Sequence, residues 1–342
     1  MATVKDIAKI AGVSTATVSR ALANPDKVTA STKLKVEKAA QALGYSPNGL
    51  ARSLRTQQTR TIVVVLPDIG NHFFTDIIKG IELIAHKKGY KILIGDAQHC
   101  AERAKKYFDL VFSKQADGVL SLTTDIPLQS ILNADGSSKI PLVMACEYFT
   151  HSLIPSVHID NEYSARLVVE NLLKMGHYKI ACISGNEKNS ISISRLQGMQ
   201  QSLAKNRLKM PEQYIVQGDY SLQSGYEAAQ QLLSLSDRPS AIFCHNDEMA
   251  IGALKCAREM NIKVPEQLSL IGFDNIAFSE FCQPQLTTVN QPRQLIGETA
   301  IKLLLNILSG KKPNPEITLP AQLISRGTTM APPLDQRLLI DI

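Results

Sequence analysis

The chain has 342 residues, 44% of them hydrophobic and 20% charged, with net charge +6. That length exceeds one ordinary core and predicts two or three domains, while the absence of any apolar run near the roughly 18 residues of a membrane span, and of a secretory h-region in MATVKDIAKIAG, makes the cytoplasm the expected compartment. The first sixty residues carry ten Lys/Arg against three Asp/Glu and the rest 27 against 28, so a basic module on a near-neutral body points to a polyanion partner for the module only.

Residues 3 to 44 read as three short helices. Thr3 can cap the first, whose apolar positions Val4, Ile7, Ala8 and Ala11 follow a helical period, and Gly12 stops it. Ser14 can cap the second, with the stripe Val18, Ala21, Leu22 and a break at Asn24-Pro25-Asp26. Thr29 or Ser31 opens the third, with Val36, Ala39, Ala40 and Leu43 on one face and Gly44 as the stop. Helix, glycine-containing turn, helix is the helix-turn-helix pattern. On the second helix Ala16 and Arg20 lie opposite the stripe, Thr17 and Ser19 flank them, and Thr15 leads. Small hydroxyls, an alanine and one guanidinium suit a DNA major groove: arginine reaches a guanine edge or a phosphate, and methyls touch thymine. Ser14, at the helix start, suits a phosphate. A merely solvated three-helix bundle has the same amphipathic pattern; the turn spacing and local charge favour DNA.

YSPNGLARSLRTQQT follows, residues 45 to 59. Pro47 can start a two-turn, arginine-rich helix that is marginal alone in water. From TIVVVLP onward, apolar strand segments (KILIGDA, DGVLSL, PLVMAC, SVHID, KIACISG, YIVQGD, AIFCHND, LSLIGFD) alternate with amphipathic helices. This predicts parallel sheets covered on both faces, and there are too many strands for one ordinary sheet. The expected architecture is an all-α helix-turn-helix head plus an α/β body of two doubly wound subdomains. The boundaries expected are 1–46 for the head, 47–59 for the hinge helix and linker, and 60–342 for the body. Within the body, one subdomain takes about 60–160 and 290–320, and the other about 161–289 and 321–342. LTTVNQ and ITLPAQLISRG read as strands crossing back between the halves.

Two such halves enclose a cleft at the carboxyl ends of their strands, where small molecules bind. Residues just after strand ends include Asp68, Asn71, Phe73, Phe74, Asp160, Asn189, Ile191, Arg195, Asp219, Tyr220, Asn246, Asp247 and Asp274. Phe73 can equally be a core residue, and Asp160 and Asp247 can equally cap helices. The six cysteines, Cys100, Cys146, Cys182, Cys244, Cys256 and Cys282, have no C-x-x-C spacing and read as free thiols. No metal site and no cofactor are expected from the histidines and cysteines. Neither G-x-x-x-x-G-K-[ST], G-x-G-x-x-G nor G-x-S-x-G occurs, which argues against an enzyme.

The stretch VKDIAKIAGVSTATVSRALANPDKVTASTKLKVEKAAQALGYSPNGLARSL resembles the DNA-binding head of the LacI/GalR family of bacterial repressors, and the resemblance runs to about residue 328. It implies that Thr15, Ala16 and Arg20 face bases while Ser14, Thr17 and Ser19 lie near phosphates. It further implies that the second basic segment is a hinge helix that orders on DNA, pairs with its dimer mate and enters the minor groove. Leu54 would be the wedge there, with Asn48, Arg52 and Arg55 completing the contact set. The body resembles periplasmic sugar-binding proteins. That likeness places Phe73, Phe74, Arg195, Tyr220 and Asp274 at the cleft; Asp160, Asn189, Ile191 and Asn246 complete the effector set. Aromatic rings can sandwich a flat ring, and carboxylates with Arg195 can bind sugar hydroxyls, which together suit a nucleoside.

ILIGDAQH, FCHND, RLQG and IGFDNIAFSEFCQPQLTTVNQPR resemble the cytidine-responsive branch of the family. The implied protein is a homodimeric repressor of nucleoside uptake and catabolism genes. It would bind double-stranded operator DNA, be relieved by a nucleoside such as cytidine, and work beside the cyclic-AMP receptor protein. A purine-base-responsive corepressor type remains the alternative, because YSPxxxARSL and VQGD are shared with that branch. Asn189 stands where that branch carries a base-reading arginine, which argues against it. Specificity is expected in the loop from Gly185 to Ser194.

Overall fold

Three caps define the head. Thr3 Oγ1 accepts from Asp6 N–H (3.4 Å) while Asp6 Oδ2 accepts from Thr3 N–H (2.9 Å), a reciprocal capping box opening α1 (Val4–Ala11). Gly12, at φ 65°, ends it. Ser14 Oγ accepts from Thr17 N–H at 3.1 Å to open α2 (Thr15–Ala23), and Thr29 Oγ1 caps α3 (Ala30–Ala42). Ile7, Val18 and Val36 are fully buried where the three helices meet, with Ala8, Ala11, Ala21, Ala39 and Ala40 around them. Small alanines let these short helices approach closely.

The computed structural model describes residues 2–23, 25–45, 58–149, 152–312 and 314–333. The chain divides into two compact units, Met1–Thr59 and Arg60–Ile342. The larger unit holds two six-stranded sheets. The first lobe contains β1 (Thr61–Leu66), α4 (Phe73–Lys87), β2 (Lys91–Asp96), α5 (Ala101–Phe112), β3 (Gly118–Ser121), α6 (Leu128–Ile131), β4 (Leu142–Ala145) and β5 (Ser156–Ile159). The second contains α7 (Asn161–Lys174), β6 (Ile180–Ser184), α8 (Ser190–Lys205), β7 (Ile215–Gln217), α9 (Leu222–Leu233), β8 (Ala241–Cys244), α10 (Asp247–Glu259), β9 (Ser269–Asp274) and β10 (Thr287–Asn290). Then α11 (Arg293–Leu308) and β11 (Glu316–Leu319) return to the first lobe, and β12 (Gln322–Ile324) joins the second sheet.

The strand orders are β11-β5-β4-β3-β1-β2 and β12-β10-β9-β8-β6-β7. Every pairing is parallel except β10 with β12. Central strands such as β3, β4, β6 and β8 are buried along their whole length, as continuous apolar runs covered by helices on both faces require. Among the described residues the chain therefore crosses between lobes three times: after β5, after β10 and after β11. In the first lobe α4 and α11 pack backbone to backbone. A Cβ on Gly80 would sit 2.2 Å from Gln294 O, and one on Gly297 would sit 2.1 Å from Ile77 O, so two facing glycines permit the approach.

Candidate functional site

On the head, Ser14, Thr15, Ala16 and Arg20 are exposed, while Thr17 and Ser19 are half-buried beside the packed Val18. The Ser14 and Thr17 hydroxyls lie 2.9 Å apart, so the pair is ordered at the helix start, where backbone N–H groups favour an anion. The second helix contains no acidic residue. Asn48, Arg52, Leu54 and Arg55 lie outside the described residues, as does the tail from residue 334.

In the body a cavity of about 380 Å³ lies at the strand ends of both lobes. Phe73, Phe74, Asn189, Ile191, Arg195, Tyr220, Asn246 and Asp274 all line it, together with Asp68, Asn71 and Asp219. Asp160 does not line it: its carboxylate caps α7, accepting from Tyr163 N–H at 2.8 Å. An aspartate after a strand and before a helix satisfies the orphan amides of that helix first, and here the cap takes the side chain. Asp247 is likewise committed within the protein, accepting from Ile276 N–H, Ser279 Oγ and Thr288 Oγ1. Burial pushes its carboxyl up to about 6.

The aromatic wall is ordered. Phe73 and Phe74 meet edge to face with ring centroids 5.1 Å apart. Tyr220 donates to or accepts from Ser192 Oγ at 3.0 Å, and burial pushes its phenol up to about 12. Its ring occupies the space over Gly185, where a Cβ would lie 2.1 Å from the ring. Arg195 is 96% buried: its Nε donates to Asn161 Oδ1 (2.9 Å), Nη1 donates to His245 O, and its guanidinium stacks 3.6 Å over Phe273. Asp274 Oδ1 stands 3.9 Å from Arg195 Nη2 and accepts from Gln291 Nε2 at 2.7 Å. Desolvation pushes Asp274 up to about 8 against the pull of Arg195. This carboxyl is therefore held next to a fixed cation with desolvation still uncompensated, the condition that ligand hydroxyls can relieve. His245 is buried and neutral, its Nδ1 accepting from Gly185 N–H at 3.2 Å, and burial holds its pKa well below the usual imidazole value.

Several lining residues escaped the sequence reading: His99, Thr124, Asp125, Cys146, Glu147, Glu248 and Gln291; Lys188 lies in the loop from Gly185 to Ser194, where specificity is expected. Glu147 Oε2 accepts from Thr124 N–H (2.6 Å) and Oγ1 (2.8 Å), and its Oε1 accepts from Asn189 Nδ2 (2.7 Å) across the cleft. Burial pushes this carboxyl above the usual range, opposed by those donors. His99 Nδ1 pairs with Asp125 Oδ2 at 3.4 Å, and the hydrogen bond it donates to that carboxylate raises the imidazole pKa. Glu147 immediately follows the strand segment PLVMAC, so the strand-end rule that located Asp274 applied to it as well. Four lining residues, His99, Cys146, Tyr220 and Asp274, hold positive φ values of 52°, 69°, 72° and 112°. Non-glycine residues held there store strain where a fold aims side chains into a site.

A basic helix-turn-helix unit carried with a two-lobed, cleft-containing body defines a ligand-responsive transcription regulator. Residues 3–48 match bacterial regulatory proteins of the lacI family, and residues 169–329 match the periplasmic binding protein-like domain. The HTH-type transcriptional repressor CytR of Escherichia coli (strain K12) is 45% identical over 333 residues, spanning 97% of each chain. The HTH-type transcriptional repressor PurR of Vibrio atlanticus (strain LGP32) is 34% identical over 312 residues, 91% of this chain and 93% of that one. Among solved structures, the Lac repressor dimer bound to operator and the anti-inducer ONPF superposes with a TM-score of 0.86 at 29% identity, covering 96% of this chain and 99% of that one. The chain belongs to the lacI family of bacterial regulatory proteins, and its relatives are transcriptional repressors rather than enzymes.

Proposed function

We propose that this lacI-family repressor binds operator DNA as a homodimer, that its operator binding or repression is relieved by a nucleoside such as cytidine, and that it controls genes of nucleoside uptake and catabolism. The observation that carries the effector assignment is the double character of the cavity. Phe73, Phe74 and Tyr220 contribute aromatic rings to the lining, while the buried Arg195 and Asp274 offer a donor and an acceptor for sugar hydroxyls. A hexose uses the second set only and a free base uses the first set only; a nucleoside uses both. The 45% identity to CytR supports the same reading, and the resemblance to the cytidine-responsive branch adds the cyclic-AMP receptor protein as a partner on DNA.

In the head, Thr15, Ala16 and Arg20 read base edges and Ser14, Thr17 and Ser19 fix the backbone register. Asn48, Arg52, Leu54 and Arg55 supply the minor-groove contact. Dimerisation draws support from an apolar surface on the second lobe. Phe281 is 85% exposed, beside a groove lined by Leu222, Tyr226, Ile251 and Leu254, and the similar Lac repressor structure is a dimer. Nucleoside in the cleft favours one arrangement of the lobes, and the operator favours another. That difference in affinity between states is the coupling.

The purine-base corepressor reading draws on the likeness to PurR, but Asn189 is committed to capping α8 and to Glu147, and a capping amide is a poor substitute for a base-reading guanidinium. The test is a thermal-shift screen of nucleosides, free bases and hexoses on the full chain, followed by operator titration with and without the best ligand. Cytidine is expected to raise the melting temperature and to weaken operator binding, either of the repressor alone or of the repressor bound beside the cyclic-AMP receptor protein. A shift with free bases only, or hexoses only, overturns the nucleoside assignment.

A further inference from the structure

A second polar part of the cavity wall, besides the Arg195–Asp274 pair, is built around Glu147, which lies on the loop after β4 and lines the cavity. Its three protein partners are all neutral donors. Thr124 N–H and Oγ1 fill both acceptor positions of Oε2, and Asn189 Nδ2 fills one of Oε1. A carboxylate oxygen accepts about two hydrogen bonds, so Oε1 retains one unfilled position. The donors are themselves fixed. Thr124 N–H can only donate, and Asn189 cannot turn its amide around because its Oδ1 accepts from Ile191 N–H (2.9 Å) and Ser192 N–H (3.4 Å) at the start of α8. The arrangement therefore presents the open position of Oε1 as an acceptor.

We propose that Glu147 is the residue that determines which base the site accepts, by receiving one hydrogen bond at Oε1 from an exocyclic amine. The site then takes a nucleoside with an amino-bearing base edge, such as cytidine, and rejects the counterpart with a carbonyl there, such as uridine. This rests on the nucleoside reading above. A carbonyl set against Oε1 leaves two acceptors facing each other without a proton, and a buried acceptor facing an acceptor is costly. Desolvation of Glu147 works in the same direction, since a further donor offsets the burial that raises its pKa.

The pair cytidine and uridine tests the effect, because the two bases have the same shape and differ in the polarity of one edge: an amine beside a ring-nitrogen acceptor in cytidine, a carbonyl beside a ring N–H in uridine. Titration calorimetry on the full-length wild type is expected to give uridine a Kd at least about tenfold above that of cytidine. In Glu147→Gln the backbone Thr124 N–H, the stiffest of the donors, favours the amide oxygen at the Oε2 position; the NH2 group then takes the Oε1 position, gives up the bond from Asn189 Nδ2 and presents a donor to the base. The variant is therefore expected to lose the preference for cytidine. Equal binding of the two nucleosides by the wild type overturns the proposal while leaving the nucleoside reading standing, and so does an unchanged ratio in Glu147→Gln. Failure of the wild type to bind any nucleoside overturns both. Should the variant not fold, the wild-type comparison alone decides.

Discussion

Gly185 closes β6 directly beneath the aromatic wall, and Gly185→Ala tests whether that wall is built as described. The added methyl would sit 2.1 Å from Tyr220 Cζ, 2.3 Å from Oη and 2.4 Å from Cε2, distances that no side-chain carbon tolerates. Tyr220 cannot yield without loss, because its backbone is held at φ 72° and its hydroxyl is engaged with Ser192 Oγ. Overpacking of this kind costs about 1–3 kcal/mol, and the displaced hydroxyl adds about 1 kcal/mol. The melting transition of the body should fall by roughly 5 °C. Cytidine affinity should fall about tenfold or more as the ring leaves its place over the cavity. Operator binding without nucleoside should be unchanged, since the substitution lies in the body. Calorimetric titration and differential scanning on the full chain read these effects. A cycle with Tyr220→Ala sharpens the test: once the ring is absent, Gly185→Ala should cost almost nothing further. Wild-type affinity and stability in Gly185→Ala, or additive losses in the double variant, would refute the packing argument.

Other outcomes follow from the same geometry. Arg20→Ala should weaken operator binding about tenfold or more, because one guanidinium contact in a groove discriminates by about 1–3 kcal/mol. Its exposed position predicts a melting temperature within about a degree of wild type, and fluorescence anisotropy with a thermal scan checks both. Asp274→Asn should abolish most effector affinity yet change the pH response of stability. Because the folded pKa of about 8 lies above the ordinary 3.8, the wild-type folded state keeps a proton that the unfolded chain has lost. Its contribution is complete below about pH 4 and fades as pH rises to about 8, so the variant should gain on wild type by on the order of 4 kcal/mol between pH 5 and 8; parallel denaturant titrations measure it. Phe281→Glu places a charge on the exposed apolar surface of the second lobe and should convert dimer to monomer in sedimentation, as burying an unpaired carboxylate in an interface is unfavourable.

The alternation of apolar runs and amphipathic helices made both lobes legible, since a strand buried on two faces must be apolar throughout and a covering helix must show a stripe. Caps were equally legible: Thr3, Ser14 and Thr29 open the head helices as their hydroxyls suggest. Asp160 shows the limit. An aspartate after a strand can serve a ligand or a helix; here Oδ1 accepts from Tyr163 N–H and the residue does not line the cavity, a choice that residue type alone does not make. Glu147 shows another: its position after β4 was readable, but its significance comes from Thr124 and Asn189, 23 and 42 residues away in the chain. The positive φ angles of Cys146, Tyr220 and Asp274 leave no trace in residue type, because without glycine the strain is imposed by the surrounding sheet. The hinge expectations for residues 48–55 fall outside the described residues.

The chain passes three times from one lobe to the other. Bodies tied by a single thread can tumble freely and squander a ligand's grip in random directions, whereas parallel tethers suppress twisting and splaying and leave few soft pivots. A metabolite captured in the cleft would then drive one reproducible displacement, with the returning segments around residues 291 and 320 bearing it as much as the one at 160.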